Sequence, residues 1–302
     1  MIIFRAFACC TLLLLALLIA GAQPGPDDCS LSVRVVTAEG KPFPVGPTVI
    51  TYRLEGNNRV YSGRNLTSKE NVTAVILLVP GRYEVSITLP TYGLVDGPRT
   101  IELLPGVNEI EWRVPAIIPV GGDLLAADKP ALTPKQTQVY LLSNVRYGPN
   151  LAVGSFSPGH YALTGAFPGS YKMLMMTENS YGYTSFQVPK DQHGAVSTPV
   201  NLFPGGALTF DVTYDTDTHA KNPLYYCYLV VSGQVEKTFP LTLVLYSDQA
   251  GKAHTLTLPP GTWKWSARHQ SYPTQTGTVT IAPGKNQTIE VDMTAGQQMV
   301  PK

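Results

Sequence analysis

Residues that could carry out catalysis or bind a metal are scattered along this sequence. None of the five histidines stands at a short, metal-type spacing from a cysteine, another histidine or a carboxylate; they are His160, His193, His219, His254 and His269. Asp215 and Asp217 are close together, but a calcium loop needs regularly spaced oxygen ligands and a glycine at its sharp turn, which this segment lacks. The sequence therefore predicts no metal site and no cofactor.

Catalytic groups are equally sparse. The chain contains no G-x-S-x-G nucleophile turn. Glu109 and Glu111 are two apart on a predicted strand, so they share one face, opposite Ile110 and Trp112. Carboxylates that alternate with apolar residues are typical of the solvated face of a strand. We therefore expect a protein that is not an enzyme.

Tyrosines are the remaining residues that could form a binding surface. The chain has 16 tyrosines, and five fall in predicted loops or at strand starts: Tyr181, Tyr183, Tyr225, Tyr226 and Tyr272. Exposed aromatic rings can stack on sugars, because the negative face of the ring attracts C–H groups. These five residues are candidates for a ligand-facing surface, and they favour a polysaccharide as one alternative ligand.

The N-terminal segment predicts export. Arg5 precedes an apolar run over residues 11–20, and Ala20-Gly21-Ala22 supplies the small residues of a cleavage site, so we expect a signal peptide at residues 1–22. The alternative is an uncleaved anchor, although the run is short for a spanning helix. No later stretch is long enough to span a bilayer. We therefore expect a mature chain that is secreted, periplasmic or at the cell surface.

Cysteine count and charge limit the remaining possibilities. Cys29 and Cys227 are the two cysteines beyond the signal, and in an oxidising compartment they could pair. The alternative is two buried thiols, since Cys227 stands in a tyrosine-rich strand. Only 14% of residues are charged and the net charge is +1, so no basic face is expected for nucleic acid.

An internal repeat is the strongest pattern in the chain. Pro-Gly, one polar residue and an aromatic recur at Pro80, Pro168 and Pro260, which are 88 and 92 residues apart. Pro-Gly favours a tight turn, and apolar residues alternate behind the aromatic, which predicts a strand with that aromatic in the core. The motif residues are Tyr83, Val85 and Ile87; Tyr171, Met173 and Met175; and Trp263 and Trp265.

Turn residues and linkers recur at set distances from the Pro-Gly motif, and they mark the boundaries of the repeats. Asn71, Gly159 and Gly251 precede the three prolines by nine residues, where we expect hairpin turns. Proline-containing segments near residues 115–120 and 203–206 separate the copies by short linkers, so swing between them should be restricted. The predicted organisation is all-β: three tandem Ig-like or transthyretin-like β-sandwich repeats, namely repeat 1 (23–117), repeat 2 (118–204) and repeat 3 (205–295), then a polar tail (296–302).

The repeat resembles the carboxypeptidase regulatory-like domain, a transthyretin-like β-sandwich. Repeat 3 matches best, through a glycine turn at Gly251 and then Leu258-Pro259-Pro260-Gly261-Thr262-Trp263. Repeat 1 diverges most, with Asn71 in place of the glycine. The resemblance implies an accessory module, spacer or binding scaffold without catalytic residues. We expect a structural or interaction protein with a protein or polysaccharide partner; the alternatives are a carbohydrate-binding protein and an accessory chain of a secreted enzyme.

Overall fold

The computed structural model describes residues 29–42, 49–56, 61–64, 72–89, 94–126, 129–130, 135–143, 150–215 and 220–294. Every regular element in these ranges is a strand, which confirms the all-β prediction. No helix that could cross a membrane occurs within them. The predicted signal peptide, the polar tail and the turn at Asn71 lie outside the described residues, as do Asp217 and His219.

Repeat 1 contributes two sheets, and its residues form one compact unit within Met1–Thr91 and Val95–Pro115. One sheet has the order β4-β1-β7 and the other β3-β2-β5-β6. The predicted alternation at Leu31, Val33 and Val35 is confirmed, since each is at most 1% exposed. The strands are β1 (Cys29–Val36), β2 (Val49–Leu54), β3 (Tyr61–Arg64), β4 (Val72–Leu78), β5 (Gly81–Leu89), β6 (Leu94–Leu103) and β7 (Gly106–Arg113).

Repeat 2 forms one hydrogen-bonded network of strands around its own core. The main path is β11-β10-β14-β15-β17-β8-β13-β12, and β9 and β16 pair with β8. The strands are β8 (Ile118–Ala126), β9 (Lys129–Pro130), β10 (Thr137–Ser143), β11 (Asn150–Ala152), β12 (Gly154–Ser157), β13 (His160–Ala166), β14 (Gly169–Thr177), β15 (Ser180–Val188), β16 (Val196–Ser197) and β17 (Val200–Pro204).

Repeat 3 again has two sheets. In one, β18 pairs with β19, β22 and β25; the order of the other is β21-β20-β23-β24. The strands are β18 (Leu208–Asp215), β19 (Lys221–Pro223), β20 (Tyr228–Val235), β21 (Phe239–Tyr246), β22 (Lys252–His254), β23 (Gly261–His269), β24 (Tyr272–Ile281) and β25 (Gln287–Asp292). After β22 the Thr255 amide still donates to the Leu208 carbonyl of β18, whereas the Thr257 and Leu258 amides donate to Thr177 and Gly206.

The same local geometry recurs at each copy of the motif. β5, β14 and β23 all begin at the glycine of Pro-Gly and all run nine residues. The first strand of each repeat pairs in parallel with the last, as β1 with β7, β8 with β17 and β18 with β25. Gly159 and Gly251 have φ of 73° and 72°, as expected of the preceding turns. The sequence repeat therefore corresponds to a repeated strand arrangement.

The motif aromatic anchors each Pro-Gly turn to the core. Tyr83, Tyr171 and Trp263 are 3%, 7% and 1% exposed. The Tyr83 hydroxyl donates to the Val79 carbonyl at 2.8 Å, and Trp263 Nε1 donates to the Pro259 carbonyl at 3.1 Å. In both cases the ring reaches back four residues across the turn. The polar end of a buried aromatic thus finds a partner on the backbone just before the motif.

Repeats 2 and 3 share a core. Leu174 and Met176 lie on β14, on the opposite face from Met173 and Met175, yet all four are 0% exposed. Leu174 and Met176 belong to the buried cluster of repeat 3, against which Tyr183 of β15 also packs. The two repeats accordingly form one compact unit, within Tyr92–Leu94 and Ala116–Lys302. A strand buried on both faces is what joins them.

The linker between these repeats is held by backbone hydrogen bonds. Gly206 and Leu258 exchange N–H···O bonds of 3.1 and 2.9 Å, and the Thr257 amide donates to the Thr177 carbonyl at 2.9 Å. A Cβ added at Gly205 or Gly206 would lie 2.2 Å from a backbone oxygen, so only glycine permits this close approach. The backbone of the short linker is therefore hydrogen-bonded, which restricts the relative motion of repeats 2 and 3.

Candidate functional site

Four tyrosines meet on the surface of repeat 3. Tyr225, Tyr226 and Tyr246 are 57%, 61% and 49% exposed, and Tyr228 is half-buried beside them. Ring centroids are 5.7 Å apart for Tyr225 and Tyr226, 4.9 Å for Tyr226 and Tyr246, and 5.6 Å for Tyr228 and Tyr246. The rings of Tyr226 and Tyr246 are stacked, 27° from parallel. We call these four residues the tyrosine patch.

Strand register explains why two of the rings are neighbours. Tyr228 of β20 lies directly opposite Tyr246 of β21 and Arg268 of β23. Directly opposed residues point to the same face of a sheet. Two residues further along β20, Val230 lies opposite Val244, which is 48% exposed. The outer face of this sheet therefore carries an aromatic row with an apolar pair behind it and a guanidinium at its end.

The loop before β20 positions the other two rings. Ser247, 2% exposed, lies beneath it. Its hydroxyl accepts from the Cys227 amide at 2.8 Å and donates to the Leu224 carbonyl at 2.6 Å. Its backbone carbonyl accepts from the Tyr226 amide at 3.0 Å, and its amide donates to the Cys227 carbonyl at 3.1 Å. Four hydrogen bonds to one buried serine thus hold the loop in this conformation against the end of β21.

That conformation is strained at Tyr226. Its φ is 61°, in the left-handed region, which costs an L-residue roughly 1–2 kcal/mol. A bulky residue at positive φ is rare, and such strain clusters at functional sites. The side chain is 61% exposed, so burial of the ring does not offset this cost.

Alanine usually gives a more stable variant than glycine, and we expect this order to be reversed when the two replace Tyr226. Alanine keeps the left-handed strain, whereas glycine relieves it, so we expect Tyr226→Gly to be more stable than Tyr226→Ala by roughly 0.5–1 kcal/mol. Urea unfolding of both variants measures this difference. The same two substitutions at Tyr225 are the control. Tyr225 is not at positive φ, so its alanine variant should be the more stable one. Equal stabilities at Tyr226 would contradict the strain.

The structure brings together only some of the tyrosines predicted from sequence. Tyr225 and Tyr226 form the patch with Tyr228 and Tyr246, which sequence reasoning did not select. Tyr228 and Tyr246 lie in different strands, β20 and β21, and only the register of strand pairing makes them neighbours, which the sequence does not show.

The other three predicted tyrosines lie elsewhere. Tyr181 and Tyr183 are half-buried at the junction with repeat 3, where the Tyr183 ring meets Phe239 edge-on at 6.0 Å. Tyr272 is half-buried between Tyr214 and His269. Burial, with a smaller contribution from Tyr214, raises the pKa of the Tyr272 hydroxyl above its ordinary value. These residues contribute to packing between elements more than to an open surface.

The two predicted cysteine partners are each buried in their own repeat. Cys29 and Cys227 are both 0% exposed, in the first and the second compact unit respectively. Their pairing stays a prediction. Burial raises the pKa of the Cys227 thiol, which keeps it protonated at neutral pH and weakens it as a nucleophile.

Ionisable groups in the described ranges form separate pairs, such as His160 with Asp123 at 2.8 Å. No group of three or more His, Cys, Asp or Glu side chains within these ranges could hold a metal. Glu109 and Glu111 are exposed and Trp112 is buried, as the strand alternation predicts. A pocket of about 490 Å³ at the end of repeat 2 is lined by Phe203, Asn179 and Asn201 with aliphatic and hydroxyl neighbours. Such a lining offers hydrogen bonds and stacking, but no acid or base.

No family model and no curated protein matches the chain. Among solved structures, the Bacillus anthracis TIE protein shares 13% identity over 88% of this chain and 50% of its own, with a TM-score of 0.26. The chain therefore spans half the length of that protein.

Two pilins also align with it. A minor pilin of Streptococcus agalactiae shares 13% identity over 61% of this chain and 99% of its own, with a TM-score of 0.27. The major pilin subunit of Bacillus cereus shares 11% over 88% and 99%, with a TM-score of 0.24. TM-scores of this size carry no argument about function, and the all-β class of this chain is established by its own strands.

Proposed function

We propose that this chain is an exported, non-catalytic structural and interaction protein that acts as a spacer or assembly component at the cell surface, in the periplasm or outside the cell. Its organisation would be a signal peptide at 1–22, three sandwiches of the carboxypeptidase regulatory-like type at 23–117, 118–204 and 205–295, and a tail at 296–302. The repeated strand arrangement supports this organisation, and the N-terminal pattern supports export.

The shared core of repeats 2 and 3 carries the proposal. A binding module on a free tether would need no buried contact with its neighbour, because relative motion is the default for domains with small interfaces. Here Leu174 and Met176 are 0% exposed against repeat 3. The paired linker adds a second constraint. A joint of this kind holds two modules at a set orientation, which is the requirement for a spacer or an assembly subunit.

Export and partner binding are tested together in the native host. We expect the mature protein to begin at Gln23 by N-terminal sequencing, and to be cross-linked to an envelope or extracellular protein in intact cells. A chain that keeps Met1 and stays in the cytoplasm would overturn the proposal. A hydrolytic activity that survives repurification would overturn its non-catalytic part.

A second candidate function is polysaccharide binding, which the tyrosine patch favours. The patch is open, its rings are adjacent, and its backbone is held in a strained conformation. A spacer needs none of these features. The two functions are compatible, because a surface scaffold can present a ligand site.

A further inference from the structure

We propose that the tyrosine patch together with Arg268 is a binding site for one polysaccharide strand, with a sugar ring stacked on Tyr226 and Tyr246 supporting that ring from behind. This inference rests on the second candidate function and names its site and ligand class. The hydrogen bonds of Ser247 impose the positive φ of Tyr226, and its ring stays 61% exposed, which leaves the ring available to a ligand.

Ring geometry suits a sugar. Tyr226 stacks on Tyr246 at 4.9 Å and is still 61% exposed, so much of its surface remains open to solvent. The face of an aromatic ring carries the negative part of its quadrupole, which attracts the C–H groups on the flat side of a pyranose. Tyrosine loses little conformational entropy on binding, and the bonds from Ser247 hold the loop before any ligand arrives.

Polar groups lie beside the rings and could bond sugar hydroxyls. Each tyrosine offers a hydroxyl that both donates and accepts. Arg268 lies directly opposite Tyr228 on the same face, is exposed, and forms no salt bridge with any residue that the structure describes. Its guanidinium is free to donate to ring oxygens, hydroxyls or a sugar carboxylate.

The exposed area of the tyrosine patch suits a narrow ligand. With about 200 Å² for a whole tyrosine, the three exposed rings offer on the order of 300 Å². A stable protein partner or second copy of the chain would need about 800 Å² on each side. A single glycan strand needs only a row of adjacent rings, which is what β20, β21 and the preceding loop provide.

Glycan binding by the whole mature chain tests the proposal. Probes are insoluble cellulose, chitin and xylan in pull-downs, and soluble alginate and polygalacturonate in affinity gels. We expect retention on at least one probe, and about a tenfold loss of apparent affinity in Tyr226→Ala and in Tyr246→Ala. Arg268→Ala should weaken binding to the acidic probes most, and added salt should do the same in the wild type.

Matched variants separate loss of the ligand from loss of the fold. Leu151→Ala removes an apolar side chain that is also 52% exposed but lies on β11 in repeat 2, so this variant should bind as the wild type does. Tyr226→Gly keeps the loop conformation without strain and should still lose binding. Failure of the wild type to bind any probe would overturn the site, as would equal binding by Tyr226→Ala. Either result leaves the spacer function to its own test, because cross-linking to an envelope partner does not depend on glycan.

Discussion

Replacement of Trp263 by alanine is expected to lower the free energy of unfolding by about 3–5 kcal/mol. Trp263 is 1% exposed at the centre of the core of repeat 3, and its Nε1 donates to the Pro259 carbonyl. Alanine would leave a large cavity and an unpaired carbonyl next to the Pro-Gly turn. Because whole domains are stable by only about 5–15 kcal/mol, this loss should leave repeat 3 close to unfolding at 37 °C.

The Trp263 ring packs directly against Gly233. A Cβ added at Gly233 would lie 2.6 Å from ring atom Cε3, so the contact requires glycine. Chemical denaturation measures the loss, and Lys264→Ala, at the exposed neighbouring position, is the control with an expected effect within about 0.5 kcal/mol. Trp263→Tyr restores the residue type found at Tyr83 and Tyr171 and should cost less than alanine. A loss below about 1 kcal/mol for Trp263→Ala would show that the aromatic is not the anchor of the repeat.

Leu174→Ala is expected to weaken the unit formed by repeats 2 and 3 by about 2–5 kcal/mol and to uncouple their unfolding. The side chain is 0% exposed and packs in the core cluster of repeat 3 although it belongs to β14 of repeat 2. Without this side chain at the junction, repeats 2 and 3 should no longer unfold in one cooperative step. Calorimetry measures this as a van't Hoff enthalpy that falls below the calorimetric enthalpy.

Met173→Ala is the control for this uncoupling. Met173 is the adjacent residue, equally buried, but it faces the core of repeat 2 itself. We expect a comparable destabilisation with the two repeats still coupled, since the packing against repeat 3 is intact. If Met173→Ala split the transition while Leu174→Ala kept it single, the junction assigned to β14 would be wrong.

The repeat could be predicted from sequence because each of its signals is local. Pro-Gly favours one turn, and alternation after it assigns the inward face, so Tyr83, Val85 and Ile87 could be placed in a core correctly. Glycines at positive φ before the second and third motifs follow the same logic, as Gly159 and Gly251 show. Local steric preferences of the backbone do not depend on what packs against it.

Only half of the tyrosine patch could be predicted from sequence, because its members become neighbours through contacts that are not local in the chain. Tyr225 and Tyr226 stand out in sequence, but Tyr246 is distant from them along the chain and joins them only through the pairing of β20 with β21. The left-handed φ of Tyr226 carries no sequence signal either, because tyrosine does not favour that region. It is imposed by the bonds around Ser247.

Sequence alone determined that this protein is all-β and that an aromatic residue anchors each Pro-Gly turn in a core. Tertiary structure decided which repeats are joined and where the exposed rings gather. The apolar run from Tyr171 to Met176 shows the physical reason. Alternation assigns Met173 and Met175 to one core, whereas Leu174 and Met176 are buried only because repeat 3 packs on the other face. Burial on a second face is a property of the neighbour and not of the strand.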